Sequence, residues 1–141
     1  MNTNKFLIGG IIGGIANFLL GWLVWGMLLM NFLKENMGTA TGVMKAENEM
    51  VWWALIVGNL FWGFVLSYVL NKSGTSGVGG GATTGAMLGF LIAGGFDFTM
   101  LGTANIMTLN GVLVDIVASI VVSAIVGGVI GWYLGMGKKA A

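Results

Sequence analysis

Four long apolar stretches, separated by short polar ones, dominate the sequence. A helix needs about 20 mostly apolar residues to cross a hydrocarbon core about 30 Å thick. Apolar stretches of at least this length, without Lys, Arg or His, cover residues 6–33, 50–70, 79–101 and 109–136. The pattern predicts an all-α protein, an integral membrane four-helix bundle with short connections, and a single domain over residues 1–141.

The polar connections differ in character. Residues 34–49 hold two lysines and three glutamates, while residues 102–108 are uncharged. The segment from Asn71 to Gly81 is rich in Gly and Ser, which is typical of a flexible turn. For residues 37–48, a loop and a short interfacial helix both fit. The first span is longer than a bilayer requires, so we expect it to tilt or to project from the membrane.

The N-terminal stretch can be interpreted as a signal peptide or as a retained helix. Its apolar region is far longer than an h-region, and no small-x-small cleavage site follows cleanly, which favours the retained helix. Four lysines lie on one side of the predicted membrane and two on the other, where the three glutamates also lie. The positive-inside rule places the four-lysine side, with both termini, in the cytoplasm, and we expect a bacterial inner membrane. The four are Lys5, Lys72, Lys138 and Lys139, and the two are Lys34 and Lys45.

Composition agrees with the membrane assignment and excludes several functions. The chain is 57% hydrophobic and 8% charged with a mean hydropathy of +0.93, whereas about a quarter of residues are charged in soluble domains. A net charge of +1 excludes a basic surface for nucleic acid, so the expected partner is the lipid bilayer. The absence of Cys and His removes thiolate and imidazole ligands. We therefore predict no metal site and no cofactor.

Small residues recur four positions apart in three of the spans. Helices associate in lipid through close van der Waals contact, which small residues permit. The pattern predicts packing grooves within one bundle and is also compatible with a homo-oligomer or a larger membrane complex. Because the chain has no Pro, any helix bend must come from Gly or from a local irregularity. The predicted packing positions are Gly9, Gly13, Gly85, Gly89, Ser123, Gly127 and Gly131.

Two aspartates, Asp97 and Asp115, lie inside the third and fourth spans. An ionisable group at membrane depth is costly, so it marks a functional site or a polar contact between helices. The short turn between these spans makes them antiparallel neighbours, with both carboxyl groups at similar depth. Proton sharing or cation binding is one interpretation. The other is structural: capping, contact with a neighbouring helix, or a favourable helix dipole near Asp115.

Other polar side chains are candidates for the same site. Thr99 follows Asp97 on the third span, and Ser119 lies one turn beyond Asp115 on the fourth. Asn59 of the second span is predicted to reach the level of Ser119. Trp25 is not readily explained as a membrane-interface aromatic, and we interpret it as filling space beside a glycine. No catalytic residue is predicted.

The hairpin sequence Gly94-Gly-Phe-Asp-Phe-Thr-Met-Leu-Gly-Thr103, followed by Val112-Leu-Val-Asp-Ile116, resembles a known pattern. It is found in small bacterial four-span membrane families of unknown function. In those families an aromatic-Asp-x-Thr motif ends the third helix and a Val-Asp pair opens the fourth. The residues that match are Asp97, Thr99 and Asp115, although the turn differs in its basic and aromatic residues. The resemblance implies a four-span fold and a role for the two aspartates, but it implies no activity.

These observations predict a small transport or permeation protein for a proton, a cation or a small solute, with the paired aspartates near the outer face. The alternative is an accessory subunit that packs against a larger membrane complex through its glycine ridges. A membrane enzyme ranks third, because the usual nucleophiles and bases are missing apart from the aspartates.

Overall fold

The computed structural model describes residues 1–136, and within that range the protein is an all-α bundle. Lys138 and Lys139, which entered the orientation argument, lie outside the described residues. Four helices are long and apolar enough to cross a membrane, as expected of an integral membrane protein. The helices are α1 (Thr3–Leu23), α2 (Met30–Glu35), α3 (Trp52–Lys72), α4 (Val78–Thr103) and α5 (Leu109–Gly135).

The first predicted span is not one regular helix. After α1 the chain continues as a π-helical turn over Val24–Leu28, in which the Leu29 N–H donates to the Val24 carbonyl at 2.8 Å. The short helix α2 then follows. The departure from regular α geometry occurs at a local irregularity that contains Gly26, in a chain without proline.

One connection differs from its predicted form, and another takes one of the two predicted forms, a loop. The Gly/Ser turn is shorter than expected, because α4 already begins at Val78 and includes Gly79, Gly80 and Gly81. The long connection before α3 is mostly irregular, with one 3₁₀ turn over Glu47–Glu49.

Helix α5 is at the centre of the bundle. It packs along α4 on one side and also contacts α1 and α3, which pack against each other. Val126 and Ile130 of α5 are fully buried and form a core cluster with Leu66 and Leu70 of α3. The core therefore lies where α5 meets the α1 and α3 pair.

The bundle has two distinct ends. The end that carries the N-terminus, the 73–77 turn and the end of α5 is called the terminal end below. The end that carries α2 and the 104–108 turn is called the loop end. Here two connections pair through their backbones: the Gly38 N–H donates to Ile106 O at 2.9 Å and the Thr108 N–H to Asn36 O at 2.8 Å. These bonds tie the end of α1 and α2 to the α4 to α5 turn.

The α4 to α5 contact is a backbone contact between small residues. A methyl group added at Gly127 would lie 3.0 Å from Gly85 Cα, and one added at Gly131 would lie 2.9 Å from Gly81 Cα. The Gly77 N–H just before α4 donates to the Gly131 carbonyl at 2.7 Å. Because backbone meets backbone, a larger side chain here would force the helices apart.

The other predicted packing positions also lie in contacts within the chain. A methyl group at Gly9 would lie 2.7 Å from Ser67 Oγ, and one at Gly13 would lie 3.2 Å from Gly63 Cα, both on α3. On α4, a methyl group at Gly89 would lie 2.8 Å from Ser123 Cβ. The small residues of the three ridges are therefore occupied inside the bundle.

Candidate functional site

The two membrane-embedded aspartates meet across the α4 to α5 contact. Asp97 is six residues before the end of α4 at Thr103, and Asp115 is six residues after the start of α5 at Leu109. At 1.5 Å per residue both lie about 9 Å inside the loop end of their helices. The two carboxyl groups are close enough to interact electrostatically. The structure thus brings them together as a pair.

Asp97 is the buried member of this pair. Its side chain is 6% exposed, and within residues 1–136 its Oδ2 atom has no hydrogen-bond partner. An ionised carboxyl group has acceptors only, so a second ionised carboxyl group beside it supplies no donor. A buried polar atom without a partner is costly. One proton or one bound cation would therefore satisfy the acceptors of the pair.

Asp115 receives a hydrogen bond from another helix. The indole Nε1–H of Trp25 donates to Asp115 Oδ1 at 2.6 Å, and both side chains are half-buried. Trp25 belongs to the π-helical turn that follows α1. Such turns insert one extra residue into a helix and are frequent at functional sites. Asp115 therefore interacts with both Trp25 and Asp97.

Helix capping does not explain either aspartate. The N-cap of α5 is Thr108, whose side chain accepts from the Gly111 N–H at 3.3 Å. At the end of α4 the Ala104 N–H donates to the Met100 carbonyl at 2.8 Å. These caps exclude the capping role, whereas a contact with a neighbouring helix is present at Asp115.

Two of the other predicted site residues, Thr99 and Ser119, make contacts away from the carboxyl pair. Thr99 is exposed, and its Oγ1 donates to the Gly95 carbonyl of its own helix at 2.7 Å. The backbone carbonyl of Ser119 lies against Gly89, 2.6 Å from where a methyl group on that glycine would be. Within residues 1–136, neither side chain hydrogen-bonds to the carboxyl pair.

Asn59 belongs to a separate contact between α1 and α3. Its Oδ1 accepts from Asn17 Nδ2 at 2.7 Å, and its Nδ2 donates to the Leu55 carbonyl at 2.7 Å. The prediction placed it at the depth of Ser119, yet α3 directs this side chain toward α1. The structure therefore does not bring Asn59 to the carboxyl pair.

Trp25 is the site residue that the sequence argument missed. It does pack beside a glycine, with its Cε3 atom 3.8 Å from where a methyl group on Gly21 would lie, and it also donates to Asp115. A usable signal was present, because an indole N–H at membrane depth needs an acceptor. In spans without Lys, Arg or His, a Trp is among the few donors that a buried carboxylate can find.

Within the described residues, the surroundings of the pair contain no compensating positive charge. Among residues 1–136, neither carboxyl group forms an ion pair. Lys5 is at the opposite end, where its Nζ donates to the Leu134 carbonyl at 3.4 Å. The described part of the chain also has no group of three or more acidic, His or Cys side chains that could hold a metal ion.

Comparison with models of known protein families, with curated proteins and with solved structures finds no match to this chain. The resemblance of residues 94–116 to the four-span families remains a prediction.

Proposed function

We propose that this protein is a small membrane transport or permeation protein that binds a proton at the Asp97 and Asp115 pair. One observation carries the proposal: a carboxyl group that is 6% exposed, with an oxygen that lacks a partner, lies beside a second carboxyl group inside a membrane bundle. A shared proton satisfies that oxygen and removes the repulsion of two adjacent charges. The same proton can leave toward the nearby loop end.

A proton suits the pair better than a metal cation does. Ca²⁺ takes six to eight oxygen ligands and Mg²⁺ requires a nearly ideal octahedron, whereas this site offers two carboxyl groups. Thr99 Oγ1 and the Asn59 amide, which could have added ligands, are bonded elsewhere. A shared proton needs only one oxygen atom from each of the two carboxyl groups.

The orientation and assembly are part of the proposal. With both termini in the cytoplasm of a bacterial cell, the loop end and the carboxyl pair face the outside of the inner membrane. The terminal half of a single bundle is filled by Val126 and Ile130, each 0% exposed. We therefore propose that the inward part of the path forms between the subunits of a homo-oligomer.

The test is proton flux in proteoliposomes that contain a pH-sensitive dye and carry an imposed pH gradient. The proposal expects the wild-type protein to exceed empty liposomes and expects Asp97→Asn and Asp115→Asn to abolish that excess. Thr99→Val is the matched control on the same helix and should conduct as the wild type does. Wild-type flux equal to that of empty liposomes, or unchanged flux in both aspartate variants, would contradict the proposal.

An accessory subunit of a larger membrane complex is the second candidate. The glycine ridges that suggested it are occupied within the chain, but four glycines of α4 have no neighbouring atom within 4 Å of an added methyl group. Gly79 is near the start of the helix, and Gly94, Gly95 and Gly102 share one face of its second half. A partner helix would have to use this face. Co-purification in mild detergent that is lost in Gly95→Leu and retained in Gly58→Leu would favour this candidate. A preparation without any other chain would count against it.

A further inference from the structure

Trp25 connects the first helix to the carboxyl pair through a single short hydrogen bond. The Nε1 to Oδ1 distance of 2.6 Å is slightly shorter than is usual for a nitrogen donor. Asp97 has no comparable donor, since its buried Oδ2 lacks any partner within residues 1–136. The two carboxyl groups are therefore chemically unequal.

This asymmetry decides where a shared proton resides. A hydrogen bond donated to a carboxyl oxygen stabilises the charged form of that group. Asp115 receives such a bond and is half-buried, whereas Asp97 receives none and is 6% exposed. With one proton in the pair, the charge belongs on Asp115 and the proton on Asp97.

The geometry points to Trp25 as the positioning residue that holds Asp115 as the ionised acceptor and so fixes the shared proton on Asp97. The inference rests on the proposed proton site and adds the residue that orders it. Trp25 transfers no proton itself, because an indole N–H is a donor only. It acts through Asp115, and its place in the π-helical turn links the order of the pair to the end of α1.

No other titratable side chain competes for this role among the described helices at this depth. Helix α4 contributes Asp97, α5 contributes Asp115, and the π-helical turn contributes none. The remaining titratable side chains of the long helices lie toward the terminal end, and those of α2 and the following connection are exposed. The first group is Lys5, Tyr68, Lys72 and Tyr133, and the second is Lys34, Glu35, Lys45, Glu47 and Glu49.

The chain offers a selective probe, because Asp97 and Asp115 are its only two aspartates. The full chain, made with aspartate carrying ¹³C in the side-chain carboxyl group and placed in lipid nanodiscs at neutral pH, gives two carboxyl resonances. Asp97→Asn and Asp115→Asn assign them. The inference expects Asp97 at the shift of a carboxylic acid and Asp115 at that of a carboxylate.

The decisive variant is Trp25→Phe, which keeps an aromatic ring and removes the N–H. Loss of a hydrogen bond to a charged group changes the proton distribution between the two sites by about tenfold or more. We therefore expect the two resonances to move toward each other. Trp22→Phe, on the preceding turn and 55% exposed, is the matched control and should leave both resonances in place.

The outcomes separate the two proposals. Two carboxylate resonances in the wild type would overturn the proton site itself, and the role of Trp25 with it. An acid and a carboxylate in the wild type that stay unchanged in Trp25→Phe would overturn the role of Trp25 alone.

A second measurement needs no change at Trp25. In protein labelled with ¹⁵N-tryptophan, the indole proton of Trp25 should be displaced downfield from the other five, because its acceptor is charged. Asp115→Asn should remove the displacement, whereas Asp97→Asn should retain it. An undisplaced Trp25 resonance, or one that Asp115→Asn leaves unaltered, would overturn the inference even if Trp25→Phe failed to fold.

Discussion

Two of the polar pairs that cross helix contacts in this bundle, one of amides and one of carboxyl groups, differ in how they are satisfied. Asn17 and Asn59 join α1 to α3, where Asn17 donates to Asn59 at 2.7 Å and Asn59 donates onward to a backbone carbonyl. Asp97 and Asp115 join α4 to α5, where one buried oxygen has no partner within residues 1–136. An amide carries both donors and acceptors, whereas an ionised carboxyl group carries acceptors alone.

The amide contact is satisfied by groups of the chain itself, whereas the buried Asp97 oxygen has no partner among residues 1–136. The amide pair is complete as it stands, so its effect is to hold two helices together. In the proposed function, the carboxyl pair is completed by a proton, and that proton can be exchanged. Amides would suffice for packing at this contact, so we propose that the two acids serve a function.

We expect the largest effect when the carboxyl pair is converted into an amide pair. The double variant Asp97→Asn with Asp115→Asn should lose all proton flux in proteoliposomes, since no acid remains at this depth. Its free energy of unfolding should stay within about 1 kcal/mol of the wild type, because amides can bond to each other as Asn17 and Asn59 do. Unfolding by SDS in mixed micelles measures the second quantity. Flux that survives in a folded double variant would show that the acids are not the proton site.

The carboxyl pair also depends on the close approach of α4 and α5, which the glycines permit. A methyl group in Gly127→Ala meets the Gly81 carbonyl, so we expect a loss of about 1–3 kcal/mol in the free energy of unfolding. Gly94→Ala is the matched control, because an added methyl group there has no atom within 4 Å. Equal stability of the two variants in the same micelles would mean that the glycine contact is not tight.

The amide pair can be removed to show that it is purely structural. Asn17→Leu leaves Asn59 Oδ1 without its donor and should lower the free energy of unfolding by about 0.5–2 kcal/mol. Adding Asn59→Leu should recover part of this loss, since no unpaired amide remains at that contact. Proton flux should match the wild type in both. A fall in proton flux would indicate that Asn59 does belong to the proton site.

Thr99→Val should have the smallest effect. The Thr99 hydroxyl bonds only to its own helix, so replacing it with a methyl group should change the free energy of unfolding by less than about 0.5 kcal/mol. Flux should also be unchanged. A clear loss of flux would indicate that the hydroxyl turns toward the carboxyl pair during transport.

The parts of this structure that follow from the sequence are those set by length and depth. Apolar stretches long enough to span a bilayer predict four helices, and four long apolar helices are present. The short turn after α4 requires antiparallel neighbours, so Asp97 and Asp115, each six residues from that turn's helix ends, meet at the same level. The depth of a residue in the membrane therefore follows from its number of residues to the end of the helix.

The face that a helix presents to each neighbour does not follow from the number of residues in the same way. Asn59 and Ser119 were placed at one depth, but Asn59 faces α1 and not the α4 to α5 contact. Trp25 was missed because it lies in a π-helical turn, where one extra residue rotates the following side chains away from their regular α-helical positions. Side-chain pairing depends on these rotations, which the pattern of apolar residues does not encode.

The central claim is that the Asp97 and Asp115 pair holds one proton. The most direct test is the infrared carbonyl band of a protonated carboxylic acid at neutral pH, recorded with and without ¹³C in the aspartate carboxyl groups. Because the chain has two aspartates, any band that moves on labelling comes from this pair. If the pair holds one proton, we expect one such band, which shifts on exchange into D₂O and is absent from Asp97→Asn. A spectrum with no label-sensitive acid band would contradict this claim.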